Sequence, residues 1–530
     1  MKLTPIDTNL MNFFLPLCFE HAFASYSNYY HIKYQNAFIK AWRFNYDYPS
    51  ENSNNQRFGE RLTLAYDIIT SFQKFCGINF MYTPLNNSEE GIDLLKRKLS
   101  KSHPVIIHSD TYYNEWDPLF MKVHTNHVTI AVDIDEIKKI IYVIEPGYAT
   151  EPFELSYDAF NKSCQFYFDV TIESPSTSDY LDLLKSELSS EIYNGSNSMF
   201  NQIRKFAQDF ENFFVPEKEF DNCLSDNCFV DSLFVAAVRK IMVGRNLFIH
   251  FLISVQASSQ DISLAIHLDS IINTMKVAVC KWNLILIHMH KSVYTGWKTT
   301  INKRISSILN DIADIEEIVH KDLLKILAEG AEYTPSTLKD TEKRDKVYSY
   351  IPLKHLFNNK SFKKLNAEEE ANFTGLGEFL IKEQMPDSLI WKIEDHAYLN
   401  PFFDNEEMEN LACENQYIEM PDRKVDELLI LCCAEWGSYH ETIVINYIDG
   451  TQKFLNFNVP DISLEPFVGQ KVAWRGRSGV QNDMELQIVQ TDAKIFSISI
   501  RVDSKIQISS LVFPDCPYIH IYGLTTAKYC

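Results

Sequence analysis

Three side chains in the first third of the chain have the types and the order of a nucleophilic catalytic group. Cys18 follows Pro16 in an apolar segment, so it falls in the first turn of a predicted helix. His127 begins a short β-branched run, and Glu145 ends the next one. A thiol, an imidazole and a carboxylate in contact can act as nucleophile, general base and orienting group. The sequence therefore predicts covalent catalysis through Cys18.

Neighbouring strands are expected to bring the imidazole and the carboxylate together. Residues 104–108, 127–133 and 140–144 are short, apolar runs bounded by turn residues, a pattern typical of strands. The second and third runs are joined by a short charged turn and should pair antiparallel. This pairing places the start of one strand level with the end of the next, so His127 and Glu145 should lie side by side.

The surroundings of Cys18 and His127 predict further contributions to the site. A helix N-terminus favours a thiolate because its unpaired N–H groups and the helix dipole stabilise negative charge. Asn12 lies upstream at a spacing that lets its amide join the Cys18 backbone N–H in an oxyanion hole. The loop before His127 is aromatic and acidic, and we interpret four of its side chains as substrate contacts: Tyr112, Tyr113, Trp116 and His124.

Each of these residues also has a simpler structural interpretation. A lone Cys on an apolar helix is most often a packing residue, and Cys18 is favoured as the nucleophile only because His127 and Glu145 occur where that helix would need them. Cys76 is the rival thiol and is interpreted as structural. His124 and His127 form an HxxH pair, but no further ligands follow at metal spacing. We therefore predict no metal site.

The order of these residues resembles the papain-like cysteine-protease fold, with a Cys at a helix start, a His heading a strand and an acidic residue one strand later. Three segments resemble more closely the N-terminal domain of the BtrH type from butirosin biosynthesis: PVIIHSDTYY at 104–113, KVHTNH at 122–127 and YVIEP at 142–146. The acidic position of that family is usually Asp, whereas Glu145 stands here. The resemblance covers about the first third of the chain.

The resemblance implies an acyltransferase or amide synthase of natural-product biosynthesis, as in closthioamide-type assembly. Such enzymes take an acyl group from the phosphopantetheine thioester of an acyl or peptidyl carrier protein and pass it to an amine acceptor. The chain itself is then expected to hold no cofactor. Two alternatives stay open. One is a peptidase or thioesterase that uses the same three residues with water as acceptor, and the other is a non-catalytic scaffold.

The whole chain predicts a multidomain α+β protein. Residues 1–170 are assigned to the papain-like domain and 171–335, with few Pro and Gly and long helical periodicities, to a helical bundle. The charged segment 336–395 is predicted as a linker. Residues 396–530 contain short strands and predict an all-β sandwich that resembles jelly-roll modules of galactose-binding-like type. We interpret this module as serving interaction or homo-oligomerisation.

Composition and charge limit the function classes. The formal charge of −21, without any basic stripe, argues against nucleic-acid binding. The 11 cysteines lack the regular spacing of a disulfide framework, which favours a reducing cytoplasm. Asp7 and Glu20 interrupt the apolar N-terminal segment, so export is not expected. No uninterrupted apolar run approaches the about 20 residues of a membrane span, so no membrane partner is predicted.

Overall fold

The computed structural model divides the chain into two compact units, Met1–Pro335 and Ser336–Cys530. It describes residues 18–47, 57–63, 66–85, 88–117, 119–145, 151–173, 180–220, 232–259, 262–329, 346–364, 370–403, 408–467, 469–482, 485–502 and 506–529. The first unit is mixed α and β, and the second is built from strands. The multidomain α+β class predicted from the sequence is confirmed.

The first unit contains an antiparallel sheet and a short separate ribbon. The ribbon pairs β1 (Asn45–Tyr46) with β2 (Leu62–Thr63). The sheet strands are β3 (Ile78–Pro84), β4 (Val105–Asp110), β5 (Asn126–Asp135), β6 (Ile140–Ile144), β7 (Phe153–Ser156) and β8 (Phe166–Ile172), in the spatial order β3, β8, β4, β5, β6, β7. Strands β4, β5 and β6 correspond to the three predicted runs, and β5 pairs antiparallel with β6 as expected.

Helices cover the two faces of this sheet. They are α1 (Cys18–Tyr29), α3 (Ile68–Cys76), α4 (Ser88–Leu99) and α5 (Tyr157–Ser163); the short α2 (Phe58–Arg61) packs instead against the helix that begins at Leu233. On one face, the Phe23 ring of α1 stacks on Phe80 of β3 with ring centroids 4.2 Å apart and meets Phe168 of β8 edge to face. On the other face, α4 and α5 bury an aliphatic core against β4, β5 and β6. Burial on both faces makes the sheet a rigid support for the side chains at its edge.

Apolar side chains at helical spacing predict one helix over 62–75 that closes at Gly77, and the start of α3 differs from this prediction. Leu62 and Thr63 instead pair with β1, and the helix begins at Ile68, where the Asp67 side chain accepts a hydrogen bond from the Ile69 N–H. The ribbon satisfies backbone groups that a helix start would leave unpaired. The predicted end is confirmed, since Gly77 adopts the left-handed conformation with φ 68°.

A bundle of helices completes the first unit. It consists of α6 (Tyr180–Leu188), α7 (Met199–Phe213), α8 (Pro216–Glu219), α9 (Leu233–Ser258), α10 (Ile262–Thr295) and α11 (Thr299–Glu329). The segment after α1 enters this bundle: the fully buried Trp42 donates a hydrogen bond from Nε1 to Glu316 Oε2 at 2.8 Å. Glu316 also pairs with the buried Arg245. The predicted boundary at residue 170 therefore does not separate two compact bodies, because residues on both sides of it share one core.

Among the described helices, two bundle stretches are long and apolar enough to cross a membrane by length and composition alone: Leu233–Ser258 and His267–Val293. This differs from the expectation that no segment reaches such a length. In the fold, 72% and 61% of their most apolar windows are buried within the protein, as in the core helix of a globular bundle. The first of them also carries the charged Arg245, which its pairing with Glu316 stabilises.

The second unit is a β-sandwich. Its strands are β9 (Lys346–Ile351), β10 (Phe362–Lys363), β11 (Glu378–Ile381), β12 (Ile390–Ile393), β13 (His396–Leu399), β14 (Leu411–Glu414), β15 (Tyr417–Arg423), β16 (Glu427–Ala434), β17 (Tyr439–Tyr447), β18 (Gln452–Val459), β19 (Lys471–Asn482), β20 (Glu485–Arg501), β21 (Ile508–Val512) and β22 (Asp515–Tyr529). One sheet has the order β10, β11, β19, β20, β16, β22, β14, with β9 also paired to β22; a second has the order β15, β21, β17, β18; β12 and β13 pair in a separate ribbon.

The segment predicted as a linker, 336–395, differs from that prediction where the structure describes it. Strand β9 pairs along β22, and β11 pairs with β19, so both belong to the larger sheet. The charges that suggested a solvated linker are partly neutralised: Lys346 Nζ lies 2.9 Å from a Glu427 carboxylate oxygen and 3.0 Å from Asp395. The sandwich thus begins well before residue 396.

Candidate functional site

The predicted nucleophile and base lie in contact. Helix α1 begins at Cys18 and packs against β5, in which His127 is the second residue. The Cys18 side chain is half-buried, and it lies close enough to His127 to raise the pKa of that imidazole. Because Cys18 is the first residue of α1, the unpaired N–H groups and the positive end of the helix dipole surround its thiol.

His127 also contacts the predicted carboxylate. Its Nε2 lies 2.6 Å from Glu145 Oε1, a distance expected for a charge-assisted hydrogen bond. The Glu145 side chain is 3% exposed and the His127 side chain 13% exposed, so little water competes for this contact. Glu145 follows β6 directly, and β6 pairs with β5, so the register of two strands sets the distance between the two groups. The expected side-by-side placement is observed.

The protonation of His127 reflects both contacts. Burial alone would lower the pKa of this imidazole, but the hydrogen bonds and negative charges of Cys18 and Glu145 outweigh burial and raise the pKa to about 10. At neutral pH the arrangement therefore favours an imidazolium at His127. A thiolate paired with an imidazolium is the reactive form of a cysteine nucleophile.

Asn12, the predicted oxyanion donor, lies outside the described residues, as do Pro146 and Gly147 after Glu145. The role of Asn12 stays a prediction. The donor that the described chain does supply is the backbone N–H at the start of α1, which belongs to the first turn of the helix and has no partner within it.

The loop before His127 is organised around Asp110, a residue that the sequence reasoning overlooked. The Tyr112 ring stacks on His124 with centroids 4.1 Å apart, and His124 Nδ1 donates to Asp110 Oδ2 at 2.6 Å. Asp110 also accepts hydrogen bonds from the backbone N–H groups of Tyr112 and Thr125. Burial opposes the charge, but these hydrogen bonds outweigh it and lower the pKa of the Asp110 carboxyl. An Asp that ends a strand before a loop is the signal that could have identified this turn.

The four predicted substrate contacts do not form one cluster. Tyr113 joins the stack of Tyr112 and His124, with its ring 5.2 Å from Tyr112. Trp116 instead stacks on Phe153 of β7 with centroids 5.0 Å apart and packs against the aliphatic core beneath α4 and α5. A large ring gains more from that burial than from facing solvent. Trp116 is thus partly a core residue, and its role as a substrate contact stays a prediction.

The rival groups occupy structural positions. Burial raises the pKa of the Cys76 thiol to about 12, so this side chain stays protonated at neutral pH. His108 is buried, with Nδ1 2.8 Å from the Ser163 carbonyl oxygen. The HxxH pair is divided between two carboxylates, since His124 binds Asp110 while His127 binds Glu145. Within the described ranges, no group of three or more His, Cys, Asp and Glu side chains is placed to hold a metal ion.

Comparison with known proteins informs only the C-terminal unit. No curated protein matches the chain. Residues 347–529 match the family model described as the AziU2-like beta-sandwich domain. The match begins within β9 and ends in β22, so it includes most of the segment predicted as a linker. The resemblance to galactose-binding-like modules stays a prediction, and residues 347–529 are similar to the AziU2-like beta-sandwich domain.

Proposed function

We propose that the chain is a cysteine-dependent acyltransferase that forms amide bonds. It moves an acyl group from the phosphopantetheine thioester of a carrier protein to an amine through an acyl-Cys18 intermediate. The observation that carries this proposal is the half-buried His127, which lies 2.6 Å from Glu145 and close enough to Cys18 for that thiol to raise the pKa of the imidazole. A thiol placed in this way needs no cofactor to attack a carbonyl carbon.

The reaction has two halves. In the first, the Cys18 thiolate attacks the thioester carbonyl carbon, and the N–H groups at the start of α1, with Asn12, stabilise the oxyanion. The carbonyl re-forms, the carbon–sulfur bond to the arm breaks, and His127 gives its proton to the departing thiolate. In the second half, the amine attacks the acyl-Cys18 carbonyl and His127 takes a proton from it. The bond to Cys18 then breaks, which releases the amide and regenerates the pair of thiolate and imidazolium.

The family match of the C-terminal unit supports natural-product biosynthesis as the context of this reaction. The AziU2-like family is related to azinomycin biosynthesis, a natural-product pathway. An enzyme of such a pathway would meet acyl groups as carrier-bound thioesters in the cytoplasm. The same proposal includes a papain-like fold of the BtrH type for the first unit. It also includes a role in protein interaction for the sandwich.

Mass spectrometry of the intact protein tests the nucleophile. The chain is incubated with an acyl thioester of N-acetylcysteamine, which mimics the end of the arm. The wild type should gain one acyl mass, and Cys18→Ala should gain none. Cys164→Ala is a matched control because Cys164 is also half-buried, but burial raises the pKa of its thiol to about 12. This control should acylate like the wild type.

The fate of the adduct separates transfer from hydrolysis. Amines should discharge the acyl-enzyme faster than water does at the same pH. Discharge by water at an equal rate would instead establish the thioesterase or peptidase alternative. An adduct that persists in Cys18→Ala would refute the assignment of the nucleophile, and a wild type that takes up no acyl group would favour a non-catalytic scaffold.

A further inference from the structure

A concave site lies in the first unit, away from Cys18. It is a cavity of about 400 Å³ between the segment that follows α1, the end of α3 and helix α6. Cavities of this size accommodate small molecules. The lining side chains that determine its charge and hydrogen bonding are Lys40, Arg43, Lys74, Phe75, Glu187 and Ser190.

The charge of this cavity is opposite to that of the whole chain. Lys40, Arg43 and Lys74 contribute three positive charges, and Glu187 contributes one negative charge, which leaves the lining with two positive charges. The chain as a whole carries −21. A local concentration of cations in an acidic protein repels other cations and attracts an anion.

The single carboxylate of the lining is already fully engaged. Arg43 donates to Glu187 from Nε at 2.6 Å and from Nη2 at 2.8 Å, and the Tyr193 hydroxyl donates to the same carboxylate at 3.2 Å. Glu187 is 5% exposed, so this pair is a fixed part of the wall. The ion pair fixes the position of the guanidinium and leaves its third nitrogen, Nη1, without a bond to Glu187.

The two lysines have no such partner. Lys40 Nζ and Lys74 Nζ lie 5.4 Å and 5.5 Å from the ring centroid of Phe75, one aromatic ring shared by two ammonium groups. Neither forms an ion pair with a carboxylate in the described part of the chain. Burial, together with the charges of Arg43 and Lys74, lowers the pKa of the Lys40 ammonium, so an incoming anion would relieve repulsion already present.

A hydroxyl at the wall of the cavity also lacks a partner. Ser190 Oγ is buried and makes no hydrogen bond within the described residues. A buried hydroxyl without a partner is uncommon in folded proteins because it loses its hydrogen bonds to water. A ligand oxygen that reached Ser190 Oγ would supply the missing acceptor.

We propose that this cavity binds the phosphate group of a small molecule. A phosphate offers several acceptor oxygens on one tetrahedral centre, so it can accept from Lys40, Lys74 and Ser190 at once and neutralise the two unpaired charges. A carboxylate has a single charge and fewer oxygens, and would satisfy fewer of these donors.

This phosphate site is separate from the acyl-transfer site. Lys74 and Phe75 come just before β3, whose first residue, Ile78, pairs with Ile172 at the far end of β8. His127 pairs with Ser109 near the opposite end of the sheet, since β4 and β8 run antiparallel. The inference therefore does not depend on the proposed acyltransferase function.

Calorimetric titration of the full chain with inorganic phosphate tests the site, with chloride holding the ionic strength constant. The wild type should bind one phosphate. The double variant Lys40→Ala/Lys74→Ala should bind roughly a hundredfold more weakly, because each charge-assisted hydrogen bond contributes about tenfold. Lys185→Ala removes a cation from an exposed position of α6 that does not line the cavity, and it should bind like the wild type.

Further titrations determine whether the site prefers a phosphate ester or the free ion, and whether phosphate binding depends on Cys18. Phosphate esters, such as 4′-phosphopantetheine and AMP, should bind more tightly than inorganic phosphate if the rest of the cavity holds the organic part; weaker binding would assign the free ion. Cys18→Ala should bind phosphate unchanged. Equal affinity in the double lysine variant, or no binding of any phosphate compound by the wild type, would overturn the inference.

Discussion

Replacing Glu145 by Gln changes the charge beside His127 while keeping the shape of the side chain. The difference between the ordinary pKa of 6.5 and the value of about 10 corresponds to about 5 kcal/mol in favour of the imidazolium. A hydrogen bond to a charged group contributes about 1.5–3 kcal/mol. We therefore expect the Gln variant to lower the pKa of His127 by about one to two pH units, with Cys18 supplying much of the remainder.

The pH dependence of folding stability follows from the direction of the pKa shift at His127. The pKa of His127 is higher in the folded protein than in the unfolded chain, so the pair stabilises the fold fully below about pH 6.5. This stabilisation is lost as the pH rises through about 10. In Glu145→Gln the loss should occur at lower pH, because the neutral amide holds the proton on the imidazole less strongly.

Nuclear magnetic resonance of histidine labelled with ¹³C at Cε1 measures this directly. The variant His127→Gln identifies the signal, and its titration is followed in the wild type and in Glu145→Gln. Glu154→Gln, on the neighbouring strand β7 with an exposed side chain, is the matched control and should leave the midpoint unchanged. A midpoint in Glu145→Gln equal to that of the wild type would refute the reasoning that Glu145 helps to hold the proton.

Two further predictions concern the joint between the sheet and the bundle. Gly59→Ala should destabilise the first unit by about 1–3 kcal/mol, because the added Cβ would overlap the backbone of Leu233 and Phe234 at the start of α9; an unchanged melting temperature would contradict this. Glu316→Ala should cost about 3–5 kcal/mol, because it leaves Arg245 buried without its carboxylate. Glu317→Ala, which removes a partly exposed ion pair with Arg204, should cost about 1 kcal/mol or less in the same denaturant titration, and equal losses would argue against the buried pair.

The pairing of His127 with Glu145 could be predicted because it depends on local information. Two apolar runs joined by a short turn have few possible registers, and the register alone brings the two side chains together. The end of α3 at Gly77 was predictable for a similar reason, since a glycine in the left-handed conformation ends a helix within its own segment.

What could not be predicted depends on contacts between distant parts of the chain. Strand β9 pairs with β22, so Lys346 lies opposite Tyr529. The local sequence around residue 346 does not indicate this pairing. The cations of the phosphate site are equally dispersed, since Lys40 and Lys74 come from separate elements. Runs of charged residues in such segments suggest solvent exposure, because the residues that contact them in the fold come from distant parts of the sequence.

The hydrogen bond from Trp42 to Glu316 has a consequence for how this protein can be recombined. The indole lies before residue 170 and the carboxylate in the last bundle helix, so a chain cut near residue 170 would leave Trp42 and Phe38 without their covering helices. A chimaera with a related chain should therefore exchange the first 335 residues as one piece. The sandwich that follows is the part that gene fusion could add, remove or replace.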